Sequence, residues 1–177
     1  ACLSPVLQML SLAAQRFPLT LPAIAGPTLR CDPVPEMRCP STDWHEYGDF
    51  CYKPFTDLKT WHAARSECRK LEADLVSILS IAEQSWMDSY LYLATGDVWT
   101  GLNDLEFQGF FTWSDQHEVQ FTYWAPGEPN NHDGFKEDCV EMLQQTGRWN
   151  DVPCTEINEY ICKKPKDHYP VPSEKNM

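Results

Sequence analysis

The sequence predicts an α+β domain stapled by disulfides, and three observations carry that reading. Two stretches have apolar residues at helical spacing, several short apolar runs between turn residues have the length of strands, and eight cysteines are spread widely along 177 residues. None of the cysteines forms a Cys-x-x-Cys pair, which argues against a zinc ribbon or a thioredoxin-like motif and for crosslinks made in an oxidising compartment. The expected architecture is two helices flanking small antiparallel sheets, with one long polar loop.

Residues 1–38 are rich in Pro and Leu without a sustained period and are read as a tail or linker. Their most apolar part, Leu3 to Leu29, is interrupted by Pro5, Arg16, Pro18, Pro22 and Pro27, too often for a membrane span. It also lacks the basic start of a signal peptide. Because the chain does not begin with Met, it is read as part of a longer precursor. From Trp44 to Tyr52 the pattern predicts a short hairpin turning near Gly48. Thr60 to Leu71 places Trp61, Ala64, Cys68 and Leu71 on one helical face. Ser80-Ile81-Ala82-Glu83 has the form of a capping box, in which Ser80 bonds the Glu83 amide and Glu83 returns to the Ser80 amide. It should open a second helix running to about Leu93, with Trp86, Tyr90 and Leu93 inward and Gly96 just beyond the stop. Strands are expected at Val98–Leu102, Phe110–Trp113, Val140–Leu143 and Tyr160–Lys163. Ser114 to Lys136 is a long Gly/Pro/Asn-rich loop, of a length that is functional or disordered in compact domains. Residues 165–177 read as a polar tail.

Seven Trp and 12 % aromatic content support a packed core. Trp99, Trp113, Trp124 and Trp149 are assigned to it, whereas His45, His62, His117 and His168 share no ligand spacing. The formal net charge of −12 excludes a phosphate-binding, nucleic-acid partner, which wants clustered Lys and Arg. No Gly-x-Ser-x-Gly, His-Glu-x-x-His or Gly-rich phosphate loop is present, so the chain is not expected to be an enzyme.

Chemistry concentrates between Glu128 and Asp151. Glu128-Pro129-Asn130, Glu137-Asp138-Cys139 and Trp149-Asn150-Asp151 bring carboxylates and carboxamides together around one proline. Oxygen-only ligands suit a hard cation, and calcium takes roughly six to eight of them. A carboxylate only accepts hydrogen bonds, whereas a carboxamide also donates. A ring of both therefore binds a metal and still grips the hydroxyls of a polyol that shares it. Asn150 and Asp151 are read as loop residues outside the core.

Taken in order, these stretches resemble a known family. Trp44…Cys51-Tyr52, Ala73-Asp74-Leu75-Val76-Ser77-Ile78, Trp99-Thr100-Gly101-Leu102, Trp113-Ser114-Asp115, the three acidic motifs and Tyr160-Ile161-Cys162-Lys163 are similar to a long-form C-type lectin-like domain. Its expected span is 39–164. The Gly-Leu-Asn-Asp stretch and the loop length look most like the mannose-receptor family of endocytic receptors.

The resemblance implies the disulfides Cys39–Cys51, Cys68–Cys162 and Cys139–Cys154, with Cys2 and Cys31 outside the pattern. It implies one calcium ion held by Glu128, Asn130, Glu137, Asn150 and Asp151, the same residues gripping the sugar, and a cis peptide before Pro129. Glu-Pro-Asn resembles the mannose-type order (mannose, N-acetylglucosamine, fucose), where galactose-type members carry Gln-Pro-Asp. His132 is a candidate to pack against the sugar ring, its alternative being a solvent-exposed loop histidine. A second calcium site of relatives is weakened here: Asp104 matches, but Gln108 and Asn131 replace acids, leaving Glu137 and Asp138 to contribute. The implied partners are terminal mannose-type glycans on glycoproteins or microbial surfaces, met outside the cell by an endocytic or pattern-recognition receptor. No membrane contact is expected within this stretch. The alternative function is a module that binds a protein, with calcium only shaping the loop.

Overall fold

A computed structural model describes residues 36–131 and 136–169. The elements, all within the unit Met37–Met177, are β1 (His45–Tyr47), β2 (Phe50–Lys59), α1 (Trp61–Lys70), β3 (Asp74–Leu75), α2 (Ile81–Leu91), β4 (Val98–Asn103), β5 (Thr112–Trp113), β6 (Cys139–Met142), β7 (Trp149–Val152) and β8 (Asn158–Pro165). Among the described residues no helix is long and apolar enough to cross a membrane.

The strands join in one sheet of order β1-β2-β8-β4-β6-β7, with β3 added to β8 and β5 to β4. Separate small sheets were expected. They merge because β8 pairs antiparallel with β2 on one side and parallel with β4 on the other. Burial on both faces explains the composition of β4: Val98 and Leu102 enter one apolar cluster with Met87, Met142 and Trp149, while Trp99 enters the other with Trp61, Leu75 and Tyr160. Gly101 is required at its centre. A Cβ there would stand 2.6 Å from Ser114 Oγ and 2.8 Å from Leu75 O, where the chains close on each other.

The hairpin turns at Gly48 (φ 55°) as expected, but β2 runs on to Lys59. In α1, Thr60 caps the Ala63 amide, and Trp61, Ala64 and Cys68 are fully buried. The three disulfides are those the resemblance implies. Closing the Cys68–Cys162 loop of 94 residues restricts the unfolded chain by about 4–5 kcal/mol in the chain-entropy account. Cys2 and Cys31 lie outside the described residues.

The second helix departs from expectation. It ends at Leu91, and Leu93, expected to face inward, is 73 % exposed. Trp86 and Tyr90 do pack on the core, in a ring group with Tyr47 and Tyr52. The fully inward positions, however, are Glu83, Gln84, Met87 and Leu91. Ser80 caps the Glu83 amide at 3.1 Å, but the Glu83 carboxylate does not return to Ser80. It accepts from Leu79 N (2.8 Å), Tyr52 Oη (2.6 Å) and Lys163 Nζ (2.7 Å). Lys163 also donates to Ser77 O at 2.8 Å and lies 4.1 Å over the Phe50 ring. Burial pushes the Lys163 ammonium below its ordinary pKa, against the pull of Glu83. Burial also pushes the Tyr52 phenol up, with the Glu83 carboxylate adding to it.

Removing one member of a buried pair strands the other charge. Glu83→Ala should therefore lower the unfolding free energy by about 3–5 kcal/mol, measured by urea denaturation. A loss comparable to that of an exposed glutamate would refute the pairing.

Candidate functional site

The site is built on the β6–β7 end of the sheet. β7 was missed in the sequence, where its polar residues read as loop ligands. It pairs antiparallel with β6 in the register Cys139↔Val152, Val140↔Asp151, Glu141↔Asn150 and Met142↔Trp149. Trp149 anchors it: the ring is fully buried, and its Nε1 donates to Gln84 Oε1 at 2.9 Å. Gln84 in turn donates to Gly147 O at 3.0 Å. The Cys139–Cys154 bridge closes the base of the same pair of strands.

The preceding loop is pinned to β7 by Ala125 N→Trp149 O (2.8 Å) and Trp149 N→Tyr123 O (2.9 Å), while Phe121, Tyr123 and Trp124 pack on the core. Beyond Gly127 the Glu128–Pro129 peptide is cis. Asn131 follows in the left-handed region at φ 45°, which carboxamide residues tolerate better than most. That bend lets two successive amides converge on one carboxylate. Asn130 N donates to Asp151 Oδ1 (3.0 Å) and Asn131 N to Asp151 Oδ2 (2.8 Å). Glu137 N donates to Asn131 Oδ1 at 3.1 Å and so joins the same group.

Glu128, Asn130, Asp151 and Glu137 therefore share one locus. One carboxylate oxygen of Glu128, Oε2, is buried without a hydrogen-bond partner. Burial pushes the Glu128 carboxyl above its usual range. The adjoining Asp151 carboxylate pushes it further, Asn130 opposes, and the charge of Glu137 adds to the rise. Asp104, nearby in charge terms, repeats the pattern. Its Oδ1 is buried and unpartnered, and its carboxyl is raised by burial and by the charges of Asp138 and Asp151, against a bond from the Gly109 amide. Among the described residues, no ion pair involves Asp104, Glu128, Asp138 or Asp151. A buried acceptor with nothing to accept, pressed against a second carboxylate, fits a hard cation, and no Lys or Arg among the described residues pairs with it.

Asn150 has a different partner. Asn150 is half-buried on β7, and its Nδ2 donates to Glu141 Oε1 at 3.1 Å. Asn150 and Asp151 are strand residues, not loop residues, and Asp151 is 2 % exposed. The reading of both as loop residues outside the core is thus corrected, and Asp151 carries two backbone amides. His132 lies outside the described residues. Of the second-site residues, Asp104 and Asp138 are linked by Asp104 N→Asp138 O at 3.1 Å, and Asn131 serves Glu137. Among the described residues, no group of three or more His, Cys, Asp or Glu side chains is placed to hold a metal by itself, so a cation here depends on carboxamide oxygens as well.

Sequence reasoning overlooked Glu141 and Gln84. A signal for the first was present: a charge set between Val140 and Met142 in an apolar strand is expensive to bury unless it has a task. A cleft of about 840 Å³, lined by Arg65, Phe110, Trp113 and His117 among others, includes none of the five candidate ligand residues.

The comparisons with known proteins agree with this geometry. A family model described as the lectin C-type domain matches residues 57–164. C-type mannose receptor 2 of Homo sapiens is 36 % identical over 144 residues, covering 78 % of this chain and 10 % of the receptor. The C-type lectin mannose-binding isoform of Notechis scutatus scutatus is 37 % identical over 155 residues, covering 84 % of this chain and 97 % of that protein. Among solved structures, the carbohydrate-recognition domain of mouse scavenger receptor C-type lectin superposes with a TM-score of 0.68 at 32 % identity, over 73 % of this chain and 100 % of that one. A calcium-independent type II antifreeze protein gives the same TM-score at 27 % identity, over 75 % and 98 %. The chain spans about a tenth of the mannose receptor's length. The disulfide frame, the strand order and a family match across most of the described body agree: this chain belongs to the C-type lectin domain family, a family of binding modules rather than enzymes.

Proposed function

We propose that this domain binds mannose-type sugars through one calcium ion held by Glu128, Asn130, Glu137, Asn150 and Asp151. The observation that carries the reading is the buried, unpartnered Glu128 oxygen against the Asp151 carboxylate. Bound there, calcium would supply the positive charge that this pair lacks and would leave room for sugar hydroxyls beside these residues. The protein groups orient the sugar. Glu128 accepts a hydrogen bond from one hydroxyl and Asn130 donates one to the same oxygen, so the order Glu-Pro-Asn sets which hydroxyl geometry fits. Asp151 holds the Asn130 and Asn131 amides and thereby keeps the Glu128–Asn130 arm over the site.

The mannose-binding relative and the mannose receptor similarity support this reading. The three disulfides support a location outside the cell, in a secreted protein or receptor ectodomain. The carbohydrate module is proposed to span 39–164, between a preceding linker and a short tail, within an endocytic or pattern-recognition receptor. Its partners are terminal mannose-type glycans. A contact through two hydroxyls is small, so useful avidity requires several sites presented together.

Three outcomes test it. Calcium at a hundredfold excess over its Kd should stabilise the native state by about 2.7 kcal/mol; a melting temperature equal in EDTA and in millimolar calcium refutes the metal site. Calcium stabilisation without retention on mannose resin would instead favour a protein ligand. Exchanging Glu128→Gln together with Asn130→Asp reverses donor and acceptor across the loop and should move resin preference from mannose to galactose. Asp151→Ala should speed hydrogen exchange at the Asn130 and Asn131 amides and destabilise the fold by about 1.5–3 kcal/mol for the lost charged hydrogen bonds. Unchanged exchange at both amides would show that another group holds the arm.

A further inference from the structure

Glu141 is a charged residue with no apparent reason to be where it is. It sits in β6 with Cys139, Val140 and Met142, all fully buried, and is itself 7 % exposed. No lysine or arginine pairs with it among the described residues. Its carboxylate instead receives two carboxamides: Asn150 Nδ2 at 3.1 Å on Oε1 and Asn158 Nδ2 at 2.6 Å on Oε2. One comes from β7, directly opposite in the register, and the other from the start of β8. A burden of this kind is costly to maintain for packing alone, since an apolar side chain would fill the same space.

We propose that Glu141 is a positioning residue that decides which end of the Asn150 carboxamide faces the ion. This rests on the calcium-site reading above. A carboxylate accepts and never donates, so only the nitrogen end of Asn150 can face it. The amide is planar, and pinning Nδ2 on Glu141 turns Oδ1 away from β6. Oδ1 is the atom a hard cation takes, whereas Nδ2 is useless to it. The carboxamide nitrogen carries two hydrogens, and one remains for a ligand hydroxyl after the other is given to Glu141. Asn158 holds the second oxygen of Glu141 and keeps the carboxylate from swinging away. Partners of this outer kind orient the ligands of metal sites, and their loss costs metal affinity while the ligands themselves stay in place.

The test is calcium titration by calorimetry on the full chain, with the melting temperature in EDTA as the measure of fold. Glu141→Gln offers one oxygen to two NH₂ groups and should raise the calcium Kd by roughly 10–100-fold, beyond any change in the EDTA melting temperature. Asn150→Asp alone sets two carboxylates against each other and should also weaken calcium. Combining Glu141→Gln with Asn150→Asp restores a donor facing an acceptor, preserves the charge of the pair and still lets Asn158 donate to the amide oxygen. The combination should bring calcium affinity back to within a few-fold of the wild type, a rescue that a merely structural role does not give. A wild-type Kd in Glu141→Gln, or a double exchange no better than Glu141→Gln, overturns the proposal.

Should the variants fail to fold, the wild type decides. With isotope-labelled asparagine, one proton of the Asn150 NH₂ should exchange slowly in EDTA and remain slow in calcium. Exchange as fast as an exposed carboxamide's in calcium overturns the clamp. A wild type that binds no calcium sinks the proposed function and this inference with it, whereas calcium binding indifferent to Glu141 sinks this inference alone.

Discussion

A buried ion pair between Lys163 and Glu83 is the contact from which the rest of this domain is arranged. Lys163 lies on β8, the strand that pairs with β2, β3 and β4, and Glu83 lies on the buried face of α2. The pair fixes the helix against the sheet, and Tyr52 of β2 shares the same carboxylate oxygen. The next residue along the helix then has no freedom of its own. Gln84 is carried to the Trp149 indole, and through Trp149 the placement reaches Asn150 and Asp151. Two adjacent side chains on one helical turn thus tie the central strand to the strand that supplies the candidate ligands.

That coupling explains which parts of the structure could be read in advance. The cysteine pairs and α1 depend on a family frame or on short-range pattern, and they appear in the structure as expected. The second helix shows where pattern fails. Trp86, Tyr90 and Leu93 are the residues an apolar count turns inward, yet Glu83 and Gln84 occupy the buried face because Lys163 and Trp149 meet them there. Those partners are 80 and 65 positions away. No local window contains the reason to bury a glutamate. The short capping-box motif was half right for the same cause: Ser80 caps the amide, while the Glu83 carboxylate is drawn to stronger, charged company.

The candidate site shows a second limit. Trp149-Asn150-Asp151 looked like loop because polar residues crowd it, but the alternation of a buried Trp149 and Asp151 with half-buried Asn150 and Val152 is a strand. The gathering of Glu128, Asn130, Glu137 and Asp151 at one place was legible. The role of Asp151 was not. It holds the backbone of the Asn130–Asn131 bend, so that the candidate site and the loop conformation are fastened by one carboxylate. Such an arrangement needs no deep pocket, since a metal ion would provide the attraction that an apolar cavity provides elsewhere, and the cleft of about 840 Å³ contains none of these residues.

Neighbouring positions on β7 therefore do separate work. Asp151 faces the loop and fixes its backbone through two amides. Asn150 faces Glu141, where a carboxylate fixes the direction of its amide. A strand alternates its side chains by necessity, so a ligand pair drawn from consecutive residues cannot be oriented by a single neighbour. Each needs its own support, one from the loop it organises and one from the strand beside it. The buried charge of Glu141 follows from that geometry: among the described hydrogen bonds, its carboxylate is what settles which atom Asn150 presents, and Asn158 holds that carboxylate in turn.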